Sequence, residues 1–215
     1  MITVCGGIKG GSGKTTICTN LVVLRSLDGK KVLLVDADEQ KSASDWSDQR
    51  ESSKIETHWS TIQLSGKCIY SQLQRIHQDY DDIIVDVGGR DTTSQRSALS
   101  IADVFIVPFK PRSLDIWTIG SVKQMISEIK AINPKLKCYA VINQADPKGS
   151  DNEDAQAVIS ECQDLICANV SIGHRKAFPN AAADGLAVCE LKNQDKKAIQ
   201  EMNLLYNFIY NISVK

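Results

Sequence analysis

Residues 2–16 read ITVCGGIKGGSGKTT, and their order decides the fold. An apolar run of strand length, ITVCG (2–6), meets a loop crowded with glycine, and an apolar helical stretch from Thr15 to Leu27 follows it. Strand, loop and helix in that order form the setting in which a glycine-rich loop cradles phosphate. Phosphate oxygens need backbone N–H groups turned inward, and glycine lets the chain approach them without a Cβ in the way. The start of the helix adds the positive end of its dipole. Gly10, Gly11, Ser12, Gly13, Lys14, Thr15 and Thr16 are therefore the expected nucleotide contacts. Lys14 neutralises the β and γ phosphates, and the Thr15 hydroxyl is the expected ligand of Mg²⁺. A nucleoside triphosphate with Mg²⁺ is the ligand this loop predicts. The general pattern G-x-x-x-x-G-K-[ST] asks for glycine at position 8; this chain has Ile8, with a second lysine, Lys9, beside it.

Further apolar runs recur along the chain: KVLLVDAD (31–38), DIIVDVG (82–88), VFIVPF (104–109) and CYAVIN (138–143). Each is short, rich in Val and Ile, and apolar without strict alternation, as strands covered on both faces are. Helical stretches at Thr15–Leu27, Asp115–Ile132, Glu153–Leu165 and Gln194–Ile212 separate or follow them. The alternation predicts an α/β fold, a single doubly wound, mostly parallel sheet with helices on both faces, over residues 1–215 as one domain. THWSTIQL (57–64) and ANVSI (168–172) are weaker strand candidates, and GSDNED (149–154) is the only linker-like stretch.

A phosphate cradle needs carboxylates to hold the metal and position water. The second run ends in Asp36 and Asp38, spaced by two, so an extended chain points them to one side. The third ends in Asp86, followed by Val87, Gly88 and Gly89. A strand-terminal Asp can simply cap the next turn, but acids at two strand ends beside a phosphate loop argue for a site.

KGGSGKTT resembles the deviant Walker A motif of the ParA/MinD ATPases. VLLVDADEQKSASDW, DYDDIIVDVGGRD, VFIVPFKPRSLD, AVINQAD and IGHRKAFPNAAADGLAVCE extend the likeness over nearly the whole chain, nearest to the short, ParF-like partition ATPases. The resemblance implies that Lys9 crosses a dimer interface to the partner's nucleotide. It implies that Asp36 acts on magnesium-bound water, that Asp38 polarises the attacking water and that Asp86 supports the metal. Gly88 or Gly89 would sense the γ phosphate, and Asn143 with residues 173–175 would contact adenine. Asn143 reads equally well as a turn former before Asp146-Pro147. Glu39 stands where many relatives have proline, and DVGG replaces the more usual D-T-P-G. Longer relatives carry an N-terminal helix-turn-helix; a first strand at Ile2 leaves no room for one.

The family likeness further implies an ATP hydrolase of weak basal activity and a homodimer on ATP binding. Its ATP form binds nonspecific DNA, is nucleoid-associated, and works with a ParB-like adaptor to partition plasmid or chromosomal DNA. Positioning of a protein assembly, or recruitment to a conjugation or secretion complex, is the alternative within that machinery. A small-molecule ligase or kinase resembling dethiobiotin synthetase, and a module that holds ATP without turnover, are alternatives of other classes. Twenty-five Lys and Arg against 26 Asp and Glu give a net charge of −1, so any DNA contact must be a local patch. Lys192, Lys196, Lys197, Arg175 and Lys176 are the candidates. Ile199, Met202, Leu205, Tyr206, Ile209 and Ile212 form an apolar stripe whose opposite side lacks the cations that meet anionic lipid, which favours core packing over membrane attachment. No run is long enough to span a bilayer and no leader pattern opens the chain, so a cytoplasmic protein is expected. The seven cysteines contain no C-x-x-C pair and read as reduced thiols, with Cys162 and Cys167 on a helical run.

Overall fold

The computed structural model describes residues 1–111, 116–147 and 150–210, with the backbone alone at 116–118. Seven parallel strands form one sheet in the order β3-β2-β4-β1-β5-β6-β7. The expected runs become β1 (Ile2–Cys5), β2 (Val32–Ala37), β4 (Asp82–Val87), β5 (Val104–Phe109) and β6 (Lys137–Ala145). The two weaker candidates become the edges, β3 (Trp59–Gln63) and β7 (Ile166–Gly173). Their weak signal has a physical cause. Each edge strand is half exposed, whereas β1, β2, β4 and β5 are buried throughout, and only strands covered on both faces read as continuous apolar runs.

Alternation along each strand divides the core. Leu33 and Val35 face one layer and Val32 and Leu34 the other, as the two-residue period requires. Helices α1 (Lys14–Leu27), α2 (Ser42–Ser52), α7 (Ala177–Ala183) and α8 (Lys196–Tyr210) cover one face. Helices α3 (Cys68–Ile76), α4 (Thr93–Leu99), α5 (Ile116–Lys130) and α6 (Asp151–Ser160) cover the other. The apolar stripe of α8 packs inward: Met202, Leu205, Tyr206 and Ile209 are all buried. Among the described residues, no helix is long and apolar enough to cross a membrane.

Helices α2, α3, α4 and α7 were not expected from sequence. The first is the clearest case. SASDWSDQRES is polar, and only Ala43, Trp46 and Arg50, at i, i+3 and i+7, carry its buried stripe, with Ser44 beside them. Arg50 pairs with Glu190 at 2.7 Å and lies over the Trp59 ring, which ties α2 to the far side of the layer.

Helix α6 departs from its expected span of Glu153–Leu165. It begins at Asp151 and ends at Ser160. Asp151, Glu153 and Asp154 occupy its first turn, where acids complement the helix dipole, so the linker-like composition is a helix start. Turns closed by Cys162 N–H to the Ile159 carbonyl and Leu165 N–H to the Cys162 carbonyl end it and launch β7. Cys162 therefore lies in a turn and Cys167 in a strand, not on one helix. The expected helix limits at Asp115 and Ile212, and Gly149 of the polar stretch, lie outside the described residues.

Candidate nucleotide-binding site

The loop between β1 and α1 is held by its neighbours in the sheet. Asn143, 4% exposed near the end of β6, donates from Nδ2 to the Ser12 carbonyl at 2.6 Å. Gln144, at a positive φ of 54°, donates from Nε2 to the Gly11 carbonyl at 3.2 Å. Across planar trans peptides these anchors turn the N–H groups of Ser12 and Gly13 away from β6. Gly13 closes the loop in the left-handed region, at φ 92°, and caps α1. A Cβ there would lie 2.0 Å from Asn143 Nδ2. Asn143 thus lies within β6 and is not a turn former, and one N–H of its amide is given to the loop.

Lys14 is 6% exposed, and its ammonium donates back to the Lys9 carbonyl at 3.1 Å. The loop forms one wall of a cleft of 630 Å³, lined also by Thr15, Thr16, Asp38 and the Gly88–Gly89 turn. Lys9 is exposed on the loop's outer edge.

The carboxylates separate into two depths. Asp36 and Asp86 are register partners across β2 and β4, and both are buried. Asp36 accepts from Ser44 N–H at 2.7 Å and from Asp38 N–H at 3.1 Å. It therefore does cap the following turn and the start of α2. Asp38 lies one residue past the end of β2, so the two-residue period no longer holds there. It stands half exposed on the cleft wall, accepting from Gln40 N–H at 3.1 Å, while Asp36 lies beneath that wall.

Asp86 accepts from the Thr15 hydroxyl at 2.6 Å. Burial pushes its carboxyl up to about 7; the Thr15 hydrogen bond pulls against that shift, and the neighbouring Asp36 adds to it. A buried acid that resists ionisation beside a second carboxylate is a place where a cation lowers the free energy. Thr15, Asp36 and Asp86 offer hard oxygen donors, the chemistry Mg²⁺ prefers. They are too few to complete its octahedral shell without phosphate oxygens and water, and the set fits a metal held jointly with a nucleotide.

Two further features sit where β4 ends. A Cβ on Gly89 would lie 2.6 Å from the Gly10 nitrogen, and one on Gly88 would lie 3.1 Å from Asp38 Oδ1. Only glycine at 89 lets this turn touch the phosphate loop. Beyond it, the Thr92 hydroxyl accepts from Gln95 N–H at 3.1 Å and caps α4. Gln95, fully buried, accepts from Gly7 N–H at 2.9 Å through Oε1, joining the helix after the turn to the start of the loop. Sequence reading missed Gln95, although Thr92-x-x-Gln95 has the spacing of a capping box.

The remaining expected contacts lie apart from the cleft wall. Arg175 donates from Nε to Glu201 at 2.9 Å, and Gly173 N–H donates to the same carboxylate at 3.0 Å. This fixes the end of β7 to α8. Lys176, Lys192, Lys196 and Lys197 are exposed, but Arg175 is neutralised within its ion pair.

The same architecture occurs in known proteins. A plasmid partition protein from Borrelia burgdorferi bound to AMPPNP superposes with a TM-score of 0.76 at 18% identity, covering 98% of this chain and 99% of that one. The septum site-determining protein MinD from Pyrococcus horikoshii, complexed with Mg-ADP, gives 0.74 at 18% identity, over 97% and 95%. In sequence, maintenance of carboxysome distribution protein A from Halothiobacillus neapolitanus is 29% identical over 201 residues, 93% of this chain and 92% of that protein. The CobQ/CobB/MinD/ParA nucleotide binding domain matches residues 2–188. The chain, with its glycine loop, paired strand-end acids and parallel sheet, belongs to that ParA/MinD family of nucleotide-binding ATPases.

Proposed function

We propose that the chain is a Mg²⁺-dependent ATPase of the ParA type, whose ATP form is a homodimer that binds DNA without sequence preference and is released through a ParB-like adaptor. The observation that carries this reading is the convergence of Lys14, Thr15, Asp38 and the Gly88–Gly89 turn on one cleft, with Lys9 outside it on the loop's edge. Lys14 exchanges the Lys9 carbonyl for phosphate oxygens when a triphosphate enters. Thr15 and Asp86, hydrogen-bonded to each other here, would hold the metal together with phosphate oxygens. Bound Mg²⁺ supplies positive charge to the β and γ oxygens as charge develops there. Asp38, half exposed on the wall, accepts the hydrogen bond that orients the attacking water. Gly88 or Gly89 offers an N–H to the γ phosphate, and its loss loosens a turn packed directly on Gly10. Lys9 meets the partner's nucleotide.

The cargo has two readings. Partition of plasmid or chromosomal DNA is what the resemblance to ParA-type partition ATPases implies. Positioning of a protein assembly is favoured by the likeness, over nearly its whole length, to a protein whose name is maintenance of carboxysome distribution. Both use a DNA-bound dimer, so a DNA retention assay over a salt series tests them together. Retention with ATP, its loss with ADP or no nucleotide, and a steep decline with salt are expected, because each phosphate contact releases a counterion. Retention indifferent to nucleotide would remove the proposal and favour a small-molecule ligase or kinase, or a passive ATP-holding module.

A further inference from the structure

The phosphate loop has a second side. Behind it lies a small apolar cavity of about 30 Å³, walled by Ile8, Val107, Phe109 and Val122, with Lys9 and Lys110 also on its rim. Lys110 is half-buried directly after β5. Its ammonium stands 3.6 Å from the point a Cβ would take on Gly11. It does not line the 630 Å³ cleft, and among the described residues no carboxylate pairs with it. Lys110 and Lys9 thus share the cavity behind the phosphate loop, and neither lines the cleft in front of it. An anion that met both ammonium groups from the cavity side of the loop would approach from outside this chain.

We infer that Lys110 is a second trans cation: in the ATP-bound pair it reaches, beside Lys9, the triphosphate held by the partner. This rests on the ParA-type dimer proposed above and adds to it a residue that the loop motif does not contain. The apolar stem lies along the cavity and leaves the ammonium as the part that moves.

The test uses Lys110→Met, which keeps the stem and removes the charge, with Lys110→Arg as the restoring variant. ADP binding by the monomer should stay within about twofold of wild type, while ATP-dependent dimerisation weakens about 10- to 100-fold, as removal of one charge-assisted contact would give. Lys110→Arg should recover most of it. Mixing Lys110→Met with Asp38→Ala then separates trans from cis action. A trans lysine leaves one complete site in each mixed dimer, built from Asp38 of one chain and Lys110 of the other, and ATP turnover returns above either variant alone. A mixture that stays inactive, a loss of ADP affinity in the monomer, or unchanged dimerisation overturns the assignment. Lys9→Ala run in parallel identifies the cause. If it also leaves dimerisation intact, the trans-lysine reading falls for both residues; if it abolishes dimerisation while Lys110→Met is silent, only the role of Lys110 falls.

Discussion

Gly13→Ala should lose nucleotide binding by about 100-fold or more, from left-handed backbone strain and a broken loop anchor together. Gly13 sits at φ 92°, and its new methyl would lie 2.0 Å from Asn143 Nδ2. Relief requires either that the loop leave the left-handed region or that Asn143 withdraw from the Ser12 carbonyl, and both dismantle the cradle. The strain is confined to the loop and its Asn143 anchor near the end of β6, so circular dichroism should stay native while titration with ATP shows the loss. Affinity within about threefold of wild type, a difference of well under 1 kcal/mol, would mean that the cradle does not depend on this geometry.

Asp86→Asn should produce two opposite effects. Turnover of Mg-ATP should fall by about 100-fold or more, because a neutral amide gives up the charge that would hold the metal. The metal-free protein should become more stable at the same time. The folded-state carboxyl is raised to about 7 from its ordinary 3.8, so between those values the folded chain keeps a proton that the unfolded chain has released. Stability of the wild type therefore falls as pH rises from about 4 to about 7, and the full cost is present above that. The amide that replaces the carboxyl does not titrate. The stability gap in the variant's favour should open across the same window and level off near pH 8 at about 1–4 kcal/mol, given ~1.4 kcal/mol per pKa unit. Urea denaturation at pH 5 and pH 8, in chelator, measures it. A variant less stable than wild type at pH 8 would show that the buried charge is already compensated without metal.

These effects rest on residues whose visibility in the sequence differed for physical reasons. The five central runs were legible because strands buried on both faces cannot hide their composition, and the phosphate loop because glycine, lysine and threonine at fixed spacing have few other uses. Asp38 and Asp86 were legible as strand-end acids beside it. Their different depths were not, since β2 stops at Ala37 and no sequence rule fixes a strand's last residue. Asp36 ended the same run as Asp38, yet its oxygens accept from the Asp38 N–H in the turn and the Ser44 N–H in α2, a helix its polar sequence concealed. Asn143, Gln144 and Gln95 act through contacts more than 80 residues away in the chain. Such partners become visible only once the sheet order brings β6 and α4 to the loop.

The proposed mechanism turns on a pair of chains joined through two triphosphates, with Lys9 of each lent to the other. Sedimentation velocity on Asp38→Ala, with and without Lys9→Ala, tests it in Mg²⁺ with ATP or ADP. A species of twice the 23.6 kDa chain mass is expected with ATP alone, and it should collapse to the single-chain mass when Lys9 is replaced. A single-chain mass in ATP, or a dimer indifferent to both nucleotide and Lys9, would contradict it.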